Sequence, residues 1–243
     1  MWLDLPIIKL MLSIIRFFIS ACLVFFALLL HGQEKKAPPK PKKDYRPTGL
    51  RVGTDLIDIG KTLATNTFTG WEINGDVDFA NYYLTADFGT WGKDILIKNG
   101  DYTNSGTYYR VGVDINFLGK DPDKNMFFLG FRAGHSVFNE SVNYYTNVPP
   151  HLFSPLDTTY SNPNASGNWG EITTGLRVKV WKGLWLGYTA RMKFAPTVTS
   201  NPNFVTYDMP GYGVVQNTLW WGFNYQVFWR FAWRKDKVLP VKK

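Results

Sequence analysis

Two short stretches bring together the residue types of nucleophilic catalysis: His135, Ser136 and Glu140, and further on His151, Ser154 and Asp157. An imidazole that takes a hydroxyl proton, beside a carboxylate that orients it, would equip either stretch for acyl transfer or deacylation. Neither spacing is diagnostic, because such sites are defined by geometry in space. The expectation is that the chain is not an enzyme. No Gly-rich phosphate loop opens a helix, and no His, Asp or Glu cluster has metal-ligand spacing, so no cofactor or metal is expected.

A second set of polar residues is defined by parity. Arg51, Asp55, Glu72, Asp76, Asp78, Asp87, Arg110, Asp114, Arg132, Glu171, Arg177, Lys179, Arg191, Lys193 and Arg230 fall on one face of segments whose other face is apolar. A third set is aromatic. Residues 139–168 form the longest connection and carry Tyr144, Tyr145, His151, Phe153 and Tyr160 among prolines, a composition suited to a partner-binding surface. Connections longer than about 12–15 residues are usually functional or disordered.

The elements that must position these residues are strands. Aromatic residues make up 17% of the chain and charged ones 19%, yet the mean hydropathy is slightly negative, so apolar residues must alternate with polar ones. Leu50, Val52 and Leu56 alternate with Arg51, Gly53 and Asp55; Trp71, Ile73, Val77 and Phe79 alternate with Glu72, Asn74, Asp76 and Asp78. Eight such runs follow from Thr48 onward, with Phe128 breaking the polar face of the fifth, and the eighth holding its register from Val215 to Trp233. A period of two sustained this long excludes an amphipathic helix.

The connections alternate in length. The one between the first and second runs and those near 92–106, 139–168 and 195–213 are long; Ala80-Asn81, 119–125 and Lys182-Gly183 are short. Long external loops and short periplasmic turns are the asymmetry of outer-membrane barrels. Lipid offers no partner for an open sheet edge, so the sheet must close. The fold expected is therefore an all-β, closed antiparallel transmembrane β-barrel of about eight strands. A barrel that narrow is filled by side chains, and its near-balanced interior charges should pair, because a lone buried charge is strongly disfavoured.

The net charge of +8 resides in the tails. Residues 34–47 carry six basic and two acidic groups, residues 234–243 carry five and one, and residues 48–233 carry 14 and 15. A neutral body argues against nucleic acid as a partner. Basic tails suit anionic lipid headgroups or an acidic protein, at roughly 1 kcal/mol per Lys or Arg near an anionic surface. The partners expected are outer-membrane lipid and a protein held by loop 139–168 or by the tails.

Residues 17–30 are an apolar run behind Arg16, too short for the ~20 residues of a spanning helix and read as the core of a signal peptide cleaved near Gly32 or Gln33. Cys22, the single cysteine, lies inside that run. Ile19-Ser20-Ala21-Cys22 has the spelling of a lipoprotein box, but apolar residues continue to Leu30, past the point where cleavage should end them. The organisation expected is a signal peptide (1–33), a basic Pro-rich periplasmic linker (34–47), the barrel (48–233) and a basic periplasmic tail (234–243).

Several motifs also carry a resemblance: Gly49-Leu-Arg-Val-Gly-Thr-Asp-Leu56, Thr107-Tyr-Tyr-Arg-Val-Gly-Val-Asp114, Phe128-Leu-Gly-Phe-Arg-Ala-Gly-His135, the stretch Gly175 to Tyr188, and Trp220-Trp-Gly-Phe-Asn-Tyr-Gln-Val-Phe-Trp229. In this order they resemble an uncharacterised family of exported β-barrel proteins from Bacteroidota, a domain of unknown function. The resemblance spans roughly residues 45–235, implies the barrel and a Gram-negative outer-membrane location, and carries over no catalytic residue. The functional expectation is a structural or partner-binding barrel with a filled lumen; a narrow transport channel ranks second and a lipid-modifying enzyme third.

Overall fold

A computed structural model of the chain describes residues 45–119, 121–145, 158–199, 201 and 204–234. Residues 1–44, which hold the expected signal peptide and most of the expected linker, and residues 235–243 lie outside the described residues, as do His151, Ser154, Asp157 and Phe153. The described chain is all-β with one short helix. Its strands are β1 (Gly49–Asp55), β2 (Phe68–Phe79), β3 (Tyr82–Ile97), β4 (Gly100–Asn116), β5 (Met126–Tyr144), β6 (Thr158–Trp181) and β7 (Leu184–Thr199). A hairpin of β8 (Asp208–Met209) and β9 (Gly213–Val214) precedes the last strand, β10 (Leu219–Ala232), and helix α1 (Leu56–Ala64) joins β1 to β2.

Eight of the strands form one antiparallel ring. Sequential neighbours pair from β1 to β7, β7 pairs with β10, and β10 returns to β1, Gly49 opposite Ala232. Both ends of the ring's chain therefore leave at the same rim. Alternation sorts the two faces. Val111, Val113 and Ile115 of β4 and Phe127, Leu129 and Phe131 of β5 are exposed, whereas Arg110, Asp114, Asn116, Phe128 and Arg132 between them are buried. Apolar residues thus face outward and charge faces inward, the reverse of a water-soluble fold.

Strand length departs from the sequence reading. The stretch 92–106 is not a long loop: β3 and β4 stay paired as far as Ile97 and Gly100 and turn on residues 98–99. Likewise 139–144 and 158–168 remain paired in β5 and β6, with a register shift near Asn139, which reduces the 139–168 connection to residues 145–157. The outward positions here include Asp94, Ser105, Thr103, Asn139 and Thr159, with Leu96 the apolar exception, so pairing continues where the apolar alternation has ended. Alternation reports an apolar boundary, and these hairpins rise beyond it.

The 195–213 connection also differs. Its first part extends β7, and the stretch containing Phe204, Thr206, Asp208, Met209 and Tyr212 turns inward and is buried. Gly211 and Gly213, at φ +80° and +114°, make the β8–β9 turn; a Cβ on Gly211 would also meet the Tyr108 ring at 2.6 Å.

Leu56, expected in the first strand, instead opens α1. Asp55 caps the helix, accepting from the Ile57 N–H at 3.1 Å. The helix faces the ring with Asp58, which is buried, and turns Leu56 and Leu63 outward. Its position follows from the shortness of β1. Pairing stops at Asp55 opposite Gln226 and at Thr54 opposite Ile73, so β10 from Leu219 to Tyr225 and β2 from Phe68 to Glu72 run on with no strand between them. Side chains finish the open edges. Asp55 accepts from the Tyr225 N–H (3.1 Å), Thr54 donates to the Glu72 carbonyl (2.7 Å), and the Gly70 N–H donates to the Thr62 hydroxyl (2.8 Å).

Asp55→Ala removes the helix cap and the acceptor for a strand-edge N–H together, at a cost of about 2 kcal/mol. Hydrogen exchange should accelerate at Tyr225 and along 56–64 while β4 and β5 stay unchanged. Equal protection in wild type and variant would show that Asp55 does not hold this seam.

Candidate functional site

Cross-strand register brings the interior charges together. Arg51 stands directly opposite Asp76, Asp87 opposite Arg110, and Arg132 opposite Glu171. Five buried arginines and five buried carboxylates then join in one network. Arg51 binds Asp76 (2.8 Å); Arg177 bridges Asp76 (2.6 Å) and Asp114 (3.4 Å); Arg132 binds Asp114 (3.1 Å) and Asp87. Asp87 also receives Arg110 and Arg191, both at 3.3 Å, and these two arginines reach Glu72 and Glu171. Several links cross the lumen rather than follow the wall, since Arg177 on β6 meets Asp76 on β2 and Arg191 on β7 meets Asp87 on β3.

Aromatic rings pack the space between the ions. Arg177 lies between Phe128 and Phe228, its Cζ 4.9 Å from each ring centroid, and Arg51 lies 4.7 Å from Tyr83. Phe128, which interrupts the polar face of its strand in sequence, is the hydrocarbon side of a buried guanidinium. A smaller group lies near the rim of the termini: Asp78 takes Arg230 (3.2 Å), Lys124 (3.6 Å) and the hydroxyl and N–H of Thr48. Arg51 and Arg230 are direct neighbours across β1 and β10, a like-charge pair offset because each turns to a different aspartate.

Three members of the sequence-derived set have other partners. Asp55 caps α1 and receives the Asn224 amide at 2.6 Å, with no cation bridged to it among the described residues. Lys179 pairs with Asp123 (2.6 Å) in a partly exposed position at the rim. Lys193 donates to the carbonyls of Gly211 (2.7 Å) and Tyr212 (3.0 Å), so it anchors the inward-turned segment.

That segment forms a plug at the rim opposite the termini, and sequence reasoning did not find it. Asp208 accepts from Lys93 (2.6 Å) and Asn104 (3.0 Å), and its carbonyl from the Asn104 amide (2.8 Å). Glu140 accepts from Tyr102 (2.8 Å), Asn162 (3.0 Å) and Thr206 (2.6 Å). Met209 and Tyr212 pack into a cluster with Tyr108, Phe138, Ala165 and Trp169. Burial pushes the Tyr212 phenol up from its ordinary pKa. The available sequence signal was composition: Phe204 to Val214 is aromatic and Gly-rich where a solvated loop would be polar.

The first set of catalytic candidates separates. His135 lies on the outer face against Tyr109, with Nδ1 2.8 Å from the Asn168 side-chain oxygen. Ser136 and Glu140 are buried on the inner face, as strand parity requires. Of the aromatic candidates, Tyr144 and Tyr160 pack edge to face at 6.2 Å across β5 and β6, and Tyr145 hydrogen-bonds Asp101, all near the tip of the raised hairpins.

A cavity of about 320 Å³ opens beside α1, where β1 falls short. Ile57, Asp58 and Lys61 of the helix, Trp221, Phe223 and Asn224 of β10, and Glu72, Arg110 and Lys193 from inside the ring all line it. It joins the apolar outer face to the charged interior through the wall.

A family model described as Domain of unknown function (DUF6048) matches residues 14–235. The search of curated proteins gives no match.

Proposed function

This chain belongs to the family described as Domain of unknown function (DUF6048), and from that premise we propose that it is an exported, integral outer-membrane β-barrel of Gram-negative Bacteroidota that serves as a structural or partner-binding component. The observation that carries the reading is the inverted surface. Apolar side chains from Val52 to Phe231 are exposed around the ring, and the buried residues between them include Arg51, Asp76, Asp87, Arg132 and Glu171. In water such a surface is a far larger apolar patch than a soluble monomer exposes; in lipid it is the expected one.

The location supports a direction. With the termini on the inner rim, the raised β3–β4 and β5–β6 hairpins, the plug and Tyr144, Tyr145 and Tyr160 stand outside the cell, and both basic tails lie in the periplasm. Ion pairs that cross the lumen and a plugged mouth argue for a closed barrel, so partner binding falls to the loops and tails.

Val113→Arg, on the outward face of β4, is expected to weaken folding into phosphatidylcholine vesicles by about 2–4 kcal/mol if it sits near the bilayer midplane. Leu96→Arg, on the raised hairpin, should change little. Equal effects at the two positions would remove the membrane reading. Planar bilayers containing the wild-type protein should show no stepwise conductance, and regular openings would argue instead for transport.

A further inference from the structure

Resting on the membrane reading above, we infer that the opening beside α1 is a lateral binding site for a single-chain anionic amphiphile, entered from the lipid and closed by the helix. Three features point to this ligand. The first is position: β1 ends at Asp55, so the wall between β2 and β10 lacks a strand where the cavity passes through it. At about 320 Å³ the cavity reaches the lower end of the ~300–1,000 Å³ range of small-molecule sites.

The second is the division of its lining. Ile57, Trp221 and Phe223 are apolar and lie at the outer mouth, where Trp221 and Phe223 are each 53% exposed. A hydrocarbon tail can rest there while remaining continuous with the bilayer.

The third is the hydrogen-bonding balance within. Both carboxylates of the lining are engaged: Asp58 with Lys61 at 3.3 Å, and Glu72 with Arg110, with the Tyr108 hydroxyl at 2.6 Å and with the Asn74 amide at 2.6 Å. The spare capacity is on the donor side. The Lys193 ammonium has three protons and uses two, on Gly211 and Tyr212, with no carboxylate within ion-pair distance among the described residues. The Trp91 indole N–H has no acceptor there either. A buried ammonium facing a cavity favours a negative, oxygen-bearing head such as a carboxylate or phosphate. The same segment that Lys193 grips is the plug, so an occupied site would also share its anchor with the outer mouth.

The test uses the full mature chain inserted in phosphatidylcholine vesicles, with a diazirine-bearing palmitate as probe. Crosslinks are mapped by peptide mass spectrometry. Labelling should concentrate on 56–64 and 219–224, exceed that on the outward face of β4 and β5 at least fivefold, and be displaced by palmitate but not by hexadecanol or inorganic phosphate. Displacement by phosphate alone would reassign the site to a soluble anion and overturn the amphiphile. Lys193→Gln should reduce the focal labelling severalfold. Ile57→Trp, which fills the cavity from the helix side and leaves the ion network intact, should do the same even if the Lys193 variant fails to insert. Uniform labelling around the ring would overturn the site but leave the barrel standing; failure of the wild-type chain to insert would overturn both.

Discussion

Asp87→Ala is expected to destabilise the ring by about 3–5 kcal/mol, the cost of leaving buried guanidinium charge without its counter-ion. Asp87 is 4% exposed and meets Arg110, Arg132 and Arg191, more arginines than any other carboxylate among the described residues. Its loss leaves five arginines against four carboxylates in a space that water enters poorly. The measurement is urea unfolding in vesicles, with Asp123→Ala as the comparison. Asp123 pairs with Lys179 in a partly exposed position and should cost at most ~1 kcal/mol, as surface pairs do. If the two variants unfold alike, the interior is hydrated and the network is not a buried one.

Tyr212→Ala is expected to release the plug, at about 3–5 kcal/mol for truncating a fully buried aromatic side chain. Its ring packs edge to face on Trp169 at 6.1 Å, and its hydroxyl donates to the Asn217 carbonyl at 2.6 Å. Protection against hydrogen exchange and protease should fall across 204–214, while β4 and β5 keep theirs. Unchanged protection over 204–214 would mean that Asp208 and Lys193 hold the segment without the aromatic cluster.

Sequence made the strands legible because each crosses an apolar boundary on one side only, so parity alone separates Arg132 from Phe131. It did not make partners legible. Which carboxylate Arg177 reaches depends on the stagger of strands four places apart in the ring, and nothing local to Arg177 encodes that. Strand length was hidden for a related reason: beyond the apolar band the alternation lapses, with Ile95, Leu96 and Ile97 apolar on both faces, and residues 92–106 read as a loop although all but the turn at 98–99 are paired. Helix α1 was hidden by its brevity and inversion, with Asp58 inward and Leu63 outward. The plug has no period at all. Phe204 to Val214 is held by Lys93, Asn104, Glu140 and Lys193 from distant strands, contacts a linear pattern cannot show. The first catalytic triad on paper failed in space by parity, since adjacent His135 and Ser136 must point to opposite faces; the second, His151, Ser154 and Asp157, lies outside the described residues.

The seam between β1 and β10 has a further consequence. It joins Gly49 to Ala232, almost the whole described length apart, through only seven residue pairs, fewer than any other junction in the ring except that of β1 with β2. Contacts so distant in the chain are made only after the loop-closure entropy has been met, which slows folding. The β1–β10 junction is therefore expected to close last. Under strain β1, held by seven pairs on one side and five on the other, is expected to be the first strand to leave the ring.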